Sequence, residues 1–140
     1  MVLYAADIMR ESFKTVSEDA TVFEAANIML NIGTGFLIVT RDDEPSGIVT
    51  EWDMTSKVIA KGVDPNKLKV SEIMSRGFFS VQKDTPTDKL VSIMQENRIR
   101  RLPVVENGKV IGVITSRDII RIFREYVDNI SEIVFKYGNR

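Results

Sequence analysis

The 140-residue chain contains no cysteine and no histidine. Without cysteine there is no disulfide, no thiolate metal site and no thiol nucleophile, and nothing to indicate a redox compartment. Without histidine the commonest general base at neutral pH and the commonest metal ligand are also missing. The acidic residues do not fall into a metal-ligand cluster, so neither a metal nor a catalytic cofactor is expected, and the chain does not read as an enzyme. No apolar run approaches the ~18 residues of a membrane span, and the opening MVLYAADIMRE turns polar too soon for a signal peptide. A cytoplasmic protein without a membrane partner is expected. Nineteen basic residues nearly cancel twenty acidic ones, for a net charge of −1, so there is no general attraction to nucleic acid.

What the chain does contain is a repeat. A shift of 65 residues superposes the sequence on itself without a gap through Asp118. Ile8 and Met9 then meet Ile73 and Met74. Leu37 and Val39 meet Leu102 and Val104. Gly47, Thr50 and Asp53 meet Gly112, Thr115 and Asp118. The chain therefore divides into residues 1–64, with a linker, and residues 65–140, with a longer last helix. Each half shows the same order: a lead-in segment, a short strand, a helix, two strands and a second helix.

Thr21 with Glu24 has the spacing of a capping box. In the second copy Thr85 precedes Pro86, which suits the first helical position. The first helix is expected to bury Val22, Ala25, Ala26, Met29 and Leu30, and its counterpart Leu90, Val91, Ile93 and Met94. Asn107-Gly108 between apolar runs signals a hairpin. The last helix, Arg117 to about Lys136, is apolar on more than one stripe. That surplus points to a homodimer contact.

The segments GIVTEWDM (47–54) and GVITSRDI (112–119) share a Gly-apolar-apolar-Thr-x-x-Asp pattern. A strand ends near Thr and a helix starts near Asp, so unpaired backbone N–H groups face any anion there. The Thr hydroxyl can donate to phosphate, and the Asp carboxylate can accept two sugar hydroxyls. Gly permits close approach of a backbone or a flat base. A purely structural reading stands beside this one: Thr50 and Thr115 as helix caps, Asp53 and Asp118 as first-turn carboxylates that suit the helix dipole. Trp52 either shapes a cleft or packs on the sheet.

These segments, the RIRRLPVV run (98–105) and the Asp-Ile-Met and Glu-Ile-Met openings resemble a tandem pair of cystathionine-β-synthase (CBS) domains, a Bateman module, over essentially the whole chain. The resemblance implies an α/β (α+β) fold of two β-α-β-β-α repeats packed with pseudo-twofold symmetry. It implies a regulatory sensor of an adenosine-containing ligand: AMP, ADP, ATP or S-adenosylmethionine. It further implies two clefts, one using Thr115 and Asp118 with Phe13, Lys14 and Thr15, the other Thr50 and Asp53 with Phe78, Phe79 and Ser80.

Arg100 and Arg101, ahead of Leu102 and Pro103, match a basic pair that contacts phosphate in relatives. The first copy has Gly35 and Phe36 there, so the Thr115/Asp118 cleft is expected to be the main site. Pro45-Ser46, in place of Val110-Ile111, departs from the usual strand. The output would pass through a homodimer or a separate effector protein. An interaction scaffold with vestigial clefts is the second reading, and a nucleic-acid binder using Arg98 to Arg101 the third.

Overall fold

The computed structural model describes residues 2–138. The elements are α1 (Ala5–Ile8), β1 (Thr15–Ser17), α2 (Val22–Ile32), β2 (Phe36–Arg41), β3 (Glu44–Thr50), α3 (Glu51–Met54), β4 (Ser75–Arg76), α4 (Thr87–Asn97), β5 (Arg101–Glu106), β6 (Lys109–Thr115) and α5 (Ser116–Tyr137). The α3 turn runs on through a π-helical stretch, Thr55–Ile59, and a 3₁₀ turn covers Val70–Glu72. They make two β-α-β-β-α-like repeats in an α/β fold.

The chain forms two compact units, and these do not coincide with the sequence repeats. One, the N-unit, is Ser12–Phe79. The other, the C-unit, is Ser80 onward together with the segment that ends at Glu11. Each lead-in segment thus joins the unit built on the other repeat's sheet. In the N-unit β4 pairs with β3, through Gly47–Arg76 and Ile48–Ser75. In the C-unit Arg10 bridges Val113, with hydrogen bonds of 3.0 Å in both directions.

The shared Gly is explained by this packing. A Cβ on Gly112 would lie 2.6 Å from the Met9 sulfur, and one on Gly47 2.5 Å from the Ser75 carbonyl oxygen. The Gly makes room for a lead-in segment of this chain. The acidic residue of each Asp/Glu-Ile-Met opening has a role as well: Asp7 accepts from the Tyr4 N–H, and Glu72 from the Lys69 N–H, both at 2.8 Å.

The N-unit sheet has the order β1-β2-β3-β4, with β1 parallel to β2 and the remaining pairs antiparallel. In the C-unit β5 and β6 pair antiparallel, and single bridges at Val81 and Arg10 flank them in the same order. Both hairpins turn through two residues at positive φ, Asp42-Asp43 and Asn107-Gly108, the geometry that matches strand twist. Each carries a register shift at the same place, Val39/Thr40 and Val104/Val105. Pro45 and Ser46 remain within β3. Pro45 is accommodated because β4 reaches only Gly47 and Ile48, so no ladder bond is required on its outer side.

Each unit has its own core. Val16, Val22, Ala25, Met29, Leu37, Val39, Val49, Val70 and Ile73 fill the N-unit. Ala5, Ile8, Val81, Leu90, Met94, Leu102, Val104 and Ile114 fill the C-unit.

Two expected core residues lie outside. Leu30 is 79% exposed and Val91 41% exposed, because each sits on the flank of its helix away from the sheet. The α2 start is as expected: the Thr21 N–H donates to Glu24 Oε2 and the Glu24 N–H to Thr21 Oγ1, both at 3.1 Å. The α4 start falls one residue later. Pro86 is extended and precedes the helix, because the backbone here pairs with the lead-in segment: the Ala5 N–H donates to the Thr85 carbonyl, and the Thr87 N–H to that of Leu3. No helix among the described residues is long and apolar enough to cross a membrane.

Candidate functional site

The two Thr-x-x-Asp junctions are built alike. At the end of β6, Thr115 is extended and caps α5; its Oγ1 accepts the Asp118 N–H at 3.3 Å. Asp118 Oδ2 in return accepts the Thr115 N–H and hydroxyl, both at 2.9 Å. At the end of β3, Thr50 and Asp53 repeat the arrangement, with Oδ2 accepting from the Thr50 N–H at 2.9 Å and from its hydroxyl at 3.1 Å. Such reciprocal caps satisfy helix-start donors that would otherwise be unpaired. The capping role is therefore real at both junctions, and it leaves one carboxylate oxygen, Oδ1, for other work.

That second oxygen separates the two. Asp118 Oδ1 accepts from Arg10 Nε at 2.7 Å and lies 3.6 Å from an Arg121 nitrogen, and its side chain is wholly buried. Asp53 Oδ1 lies 3.0 Å from Lys57 Nζ, and that same amine donates to the Ile73 carbonyl at 2.7 Å. In both units, then, the carboxylate is tied to a lead-in segment. In the C-unit the segment supplies its own cation. In the N-unit a helical lysine bridges to the segment's backbone.

The strand next to each junction widens the difference. Arg101 is the β-ladder partner of Thr115, and the Arg100 carbonyl accepts the Ser116 N–H at 2.9 Å. At the matching places in the N-unit stand Phe36, partner of Thr50, and Gly35, whose carbonyl accepts the Glu51 N–H at 2.9 Å. Arg98 ends α4 in a left-handed conformation, where α2 ends on Gly33. Arg10 and Arg121 therefore contact the C-unit carboxylate and Arg100 and Arg101 adjoin that junction through their backbones, whereas among the described residues the N-unit carboxylate is paired with Lys57.

The other expected residues are placed as follows. Leu102 and Pro103 are fully buried. Phe13 is half-buried, while Lys14 and Thr15 are exposed at the start of β1, in the N-unit. Phe78 is half-buried and Phe79 exposed in the same unit as Asp53, whereas Ser80 begins the C-unit. Trp52 is 72% exposed, so it does not pack on the sheet. A groove of about 400 Å³ in the N-unit is lined by Met29, Leu30, Thr34, Glu51 and Met54, and Asp53 is not among its lining residues.

Arg10, Arg121 and Lys57 were not singled out by sequence reasoning. The 65-residue shift puts Ser75 opposite Arg10 and Ile122 opposite Lys57. A search for matched residues passes over both, and a search for charged residues without a match would have found them. No group of three or more acidic residues among those described could hold a metal ion.

Similarity to known proteins agrees with this architecture. The CBS domain family matches residues 5–60 and 70–125. Hypoxic response protein 1 of Mycobacterium tuberculosis is 30% identical over 123 residues, which are 87% of this chain and 86% of that protein. Homoserine O-acetyltransferase of Methanohalobium evestigatum is 32% identical over 125 residues, covering 88% of this chain but only 24% of the enzyme. The crystal structure of the CBS domain pair of protein MJ0100, in complex with 5′-methylthioadenosine and S-adenosyl-L-methionine, is 29% identical with a TM-score of 0.81, over 90% of this chain and 99% of that one. Tandem CBS repeats are regulatory rather than catalytic modules. The chain belongs to the CBS-domain family, as a tandem CBS pair of the Bateman type.

Proposed function

We propose that this CBS pair is a cytoplasmic regulatory module that binds an adenosine-containing ligand, AMP, ADP, ATP or S-adenosylmethionine, with the Thr115–Asp118 junction as its principal site. The observation that carries this reading is the concentration of arginine at that junction: Arg101 paired to Thr115 in the ladder, Arg100 beside it, and Arg10 at Asp118. Arginine's planar fork suits phosphate, and the Asp carboxylate suits sugar hydroxyls. Support also comes from the MJ0100 pair, which is in complex with two adenosine compounds.

Binding would be transmitted through a second copy of the chain or a separate effector protein. The far part of α5 favours a homodimer. Phe123, Tyr126, Ile130, Ile133 and Val134 are 45–68% exposed along it, an apolar stripe of the kind that marks an interaction surface. Homoserine O-acetyltransferase of Methanohalobium evestigatum carries its segment similar to this chain within a much longer protein.

A second reading, an interaction scaffold with closed sites, is favoured by one observation: both oxygens of each Asp carboxylate are already engaged within the chain. Thermal denaturation with AMP, ATP and S-adenosylmethionine separates the two. A ligand at 100 times its Kd stabilises by ~2.7 kcal/mol, so a clear rise in melting temperature supports the sensor. No rise with any ligand at millimolar concentration supports the scaffold. Light scattering tests the dimer, and a monomer at every concentration refutes it.

A further inference from the structure

We propose that Arg10 is the specificity-determining residue of the Thr115–Asp118 junction. It holds Asp118 closed in the free chain and gives the junction a preference for a phosphorylated nucleoside over a neutral nucleoside or a sulfonium. The inference rests on the reading above, that an adenosine ligand binds at this junction.

The argument starts from the carboxylate. Asp118 Oδ2 is occupied by the Thr115 N–H and hydroxyl. Only Oδ1 remains for a ribose, and Arg10 Nε holds it at 2.7 Å. With the Asp118 side chain 0% exposed, no sugar hydroxyl reaches it until Arg10 moves. Arg10 is able to move. Its side chain is 57% exposed, while its backbone is pinned by two 3.0 Å hydrogen bonds to Val113. The guanidinium therefore swings on a fixed tether and stays beside the ligand that displaced it.

Charge then decides which ligand gains. Arg10 and Arg121 set two cations against the single Asp118 carboxylate. A phosphate next to the ribose gives the displaced guanidinium a new anionic partner, by the paired geometry arginine favours. A neutral nucleoside leaves it with no such partner. A sulfonium adds a like charge. The N-unit junction has no such surplus, because Lys57 matches Asp53 one for one and is held by the Ile73 carbonyl. At the position equivalent to Arg10 that unit has Ser75, and the next residue, Arg76, is directed to Glu18 at 3.4 Å.

Calorimetric titration of the full chain with AMP, adenosine and S-adenosylmethionine tests this, using wild type, Arg10→Gln and Arg10→Lys. Wild type is expected to bind AMP at least about tenfold more tightly than adenosine, with S-adenosylmethionine no better than adenosine. Arg10→Gln should narrow the AMP-to-adenosine ratio by about tenfold, with adenosine binding unchanged or tighter as Asp118 is released. Arg10→Lys should keep most of the ratio. Should Arg10→Gln prove unfolded by its melting curve, salt takes its place: AMP binding to wild type must weaken as salt rises while adenosine binding does not. Wild type that binds AMP with the ratio unchanged by Arg10→Gln, or without that salt dependence, overturns the role of Arg10 and leaves the proposed function standing. Wild type that binds none of the three compounds, and neither ADP nor ATP, overturns both.

Discussion

The N-unit and the C-unit start from nearly the same sentence of sequence, Gly-apolar-apolar-Thr-x-x-Asp, and give it the same backbone job. Thr50 and Thr115 each cap a helix, and Asp53 and Asp118 each return the bond. They part at the remaining carboxylate oxygen. Asp118 is closed by an arginine from the lead-in segment, next to a strand that begins with arginine. Asp53 is closed by a lysine on its own helix, next to a strand that begins with phenylalanine. A duplicated motif can thus keep its structural function in both copies while arginine gathers around only one of them. The cap explains why Thr and Asp occur twice, and the surroundings distinguish the sites.

The largest effect is expected from Asp118→Ala against Asp53→Ala. Both lose a reciprocal cap, worth about 1 kcal/mol. Asp118→Ala also removes the counter-charge of two arginines from a fully buried position. Because Arg10 and Arg121 are themselves about half exposed, the total should reach ~3 kcal/mol, below the upper range for breaking a buried pair. Asp53→Ala should cost ~2 kcal/mol, since Lys57 keeps the Ile73 carbonyl. Urea denaturation measures both, and a larger loss at Asp53 would reverse the comparison.

The glycines give the next contrast, in the opposite direction. Gly47→Ala would press a methyl against the Ser75 backbone oxygen, whereas Gly112→Ala meets the flexible Met9 side chain. Overpacking against backbone should cost ~2–3 kcal/mol, and against methionine ~1 kcal/mol. Equal losses would mean that the two lead-in segments are held with the same rigidity.

The smallest effect concerns a charge exchange between the units. Lys83 pairs with Glu106 at 2.8 Å in the C-unit. The N-unit has the signs reversed at the matching positions, Glu18 and Arg41, and Glu18 is directed instead to Arg76. The hydrogen bond to Glu106, with that carboxylate's charge, raises the Lys83 ammonium above its ordinary 10.5. A raised folded value means that the pair's stabilisation is present below the unfolded pKa and lost as pH rises through the folded one. Lys83→Met should therefore lower the melting temperature slightly near neutral pH and low salt, and not at all once the pH has risen past the raised lysine pKa or in high salt. A loss that persists at high pH would assign the effect to packing of the lysine stem.

Much of this was legible in the sequence, for particular reasons. The 65-residue repeat, the capping box at Thr21, the Asn107-Gly108 turn and the paired junctions are local or periodic signals, and each has its expected structural form. The exchange of lead-in segments is different. A sequence with matched halves looks the same whether Met9 packs on Gly47 or on Gly112, so periodicity alone does not decide between them. The structure puts Met9 on Gly112 and Met74 on Gly47. For the same reason Arg10 went unnoticed, since its partner lies 108 residues away and its repeat counterpart is a serine. Leu30 was misplaced because apolar residues at helical spacing also occur on a flank that the sheet does not cover.

The most direct measurement is calorimetric titration of AMP into Asp118→Asn and Asp53→Asn, substitutions that keep the side-chain shape. If the C-unit junction is the principal site, Asp118→Asn weakens AMP binding by at least about tenfold while Asp53→Asn leaves it near wild type. Equal weakening by the two substitutions, or no weakening by Asp118→Asn, would contradict it.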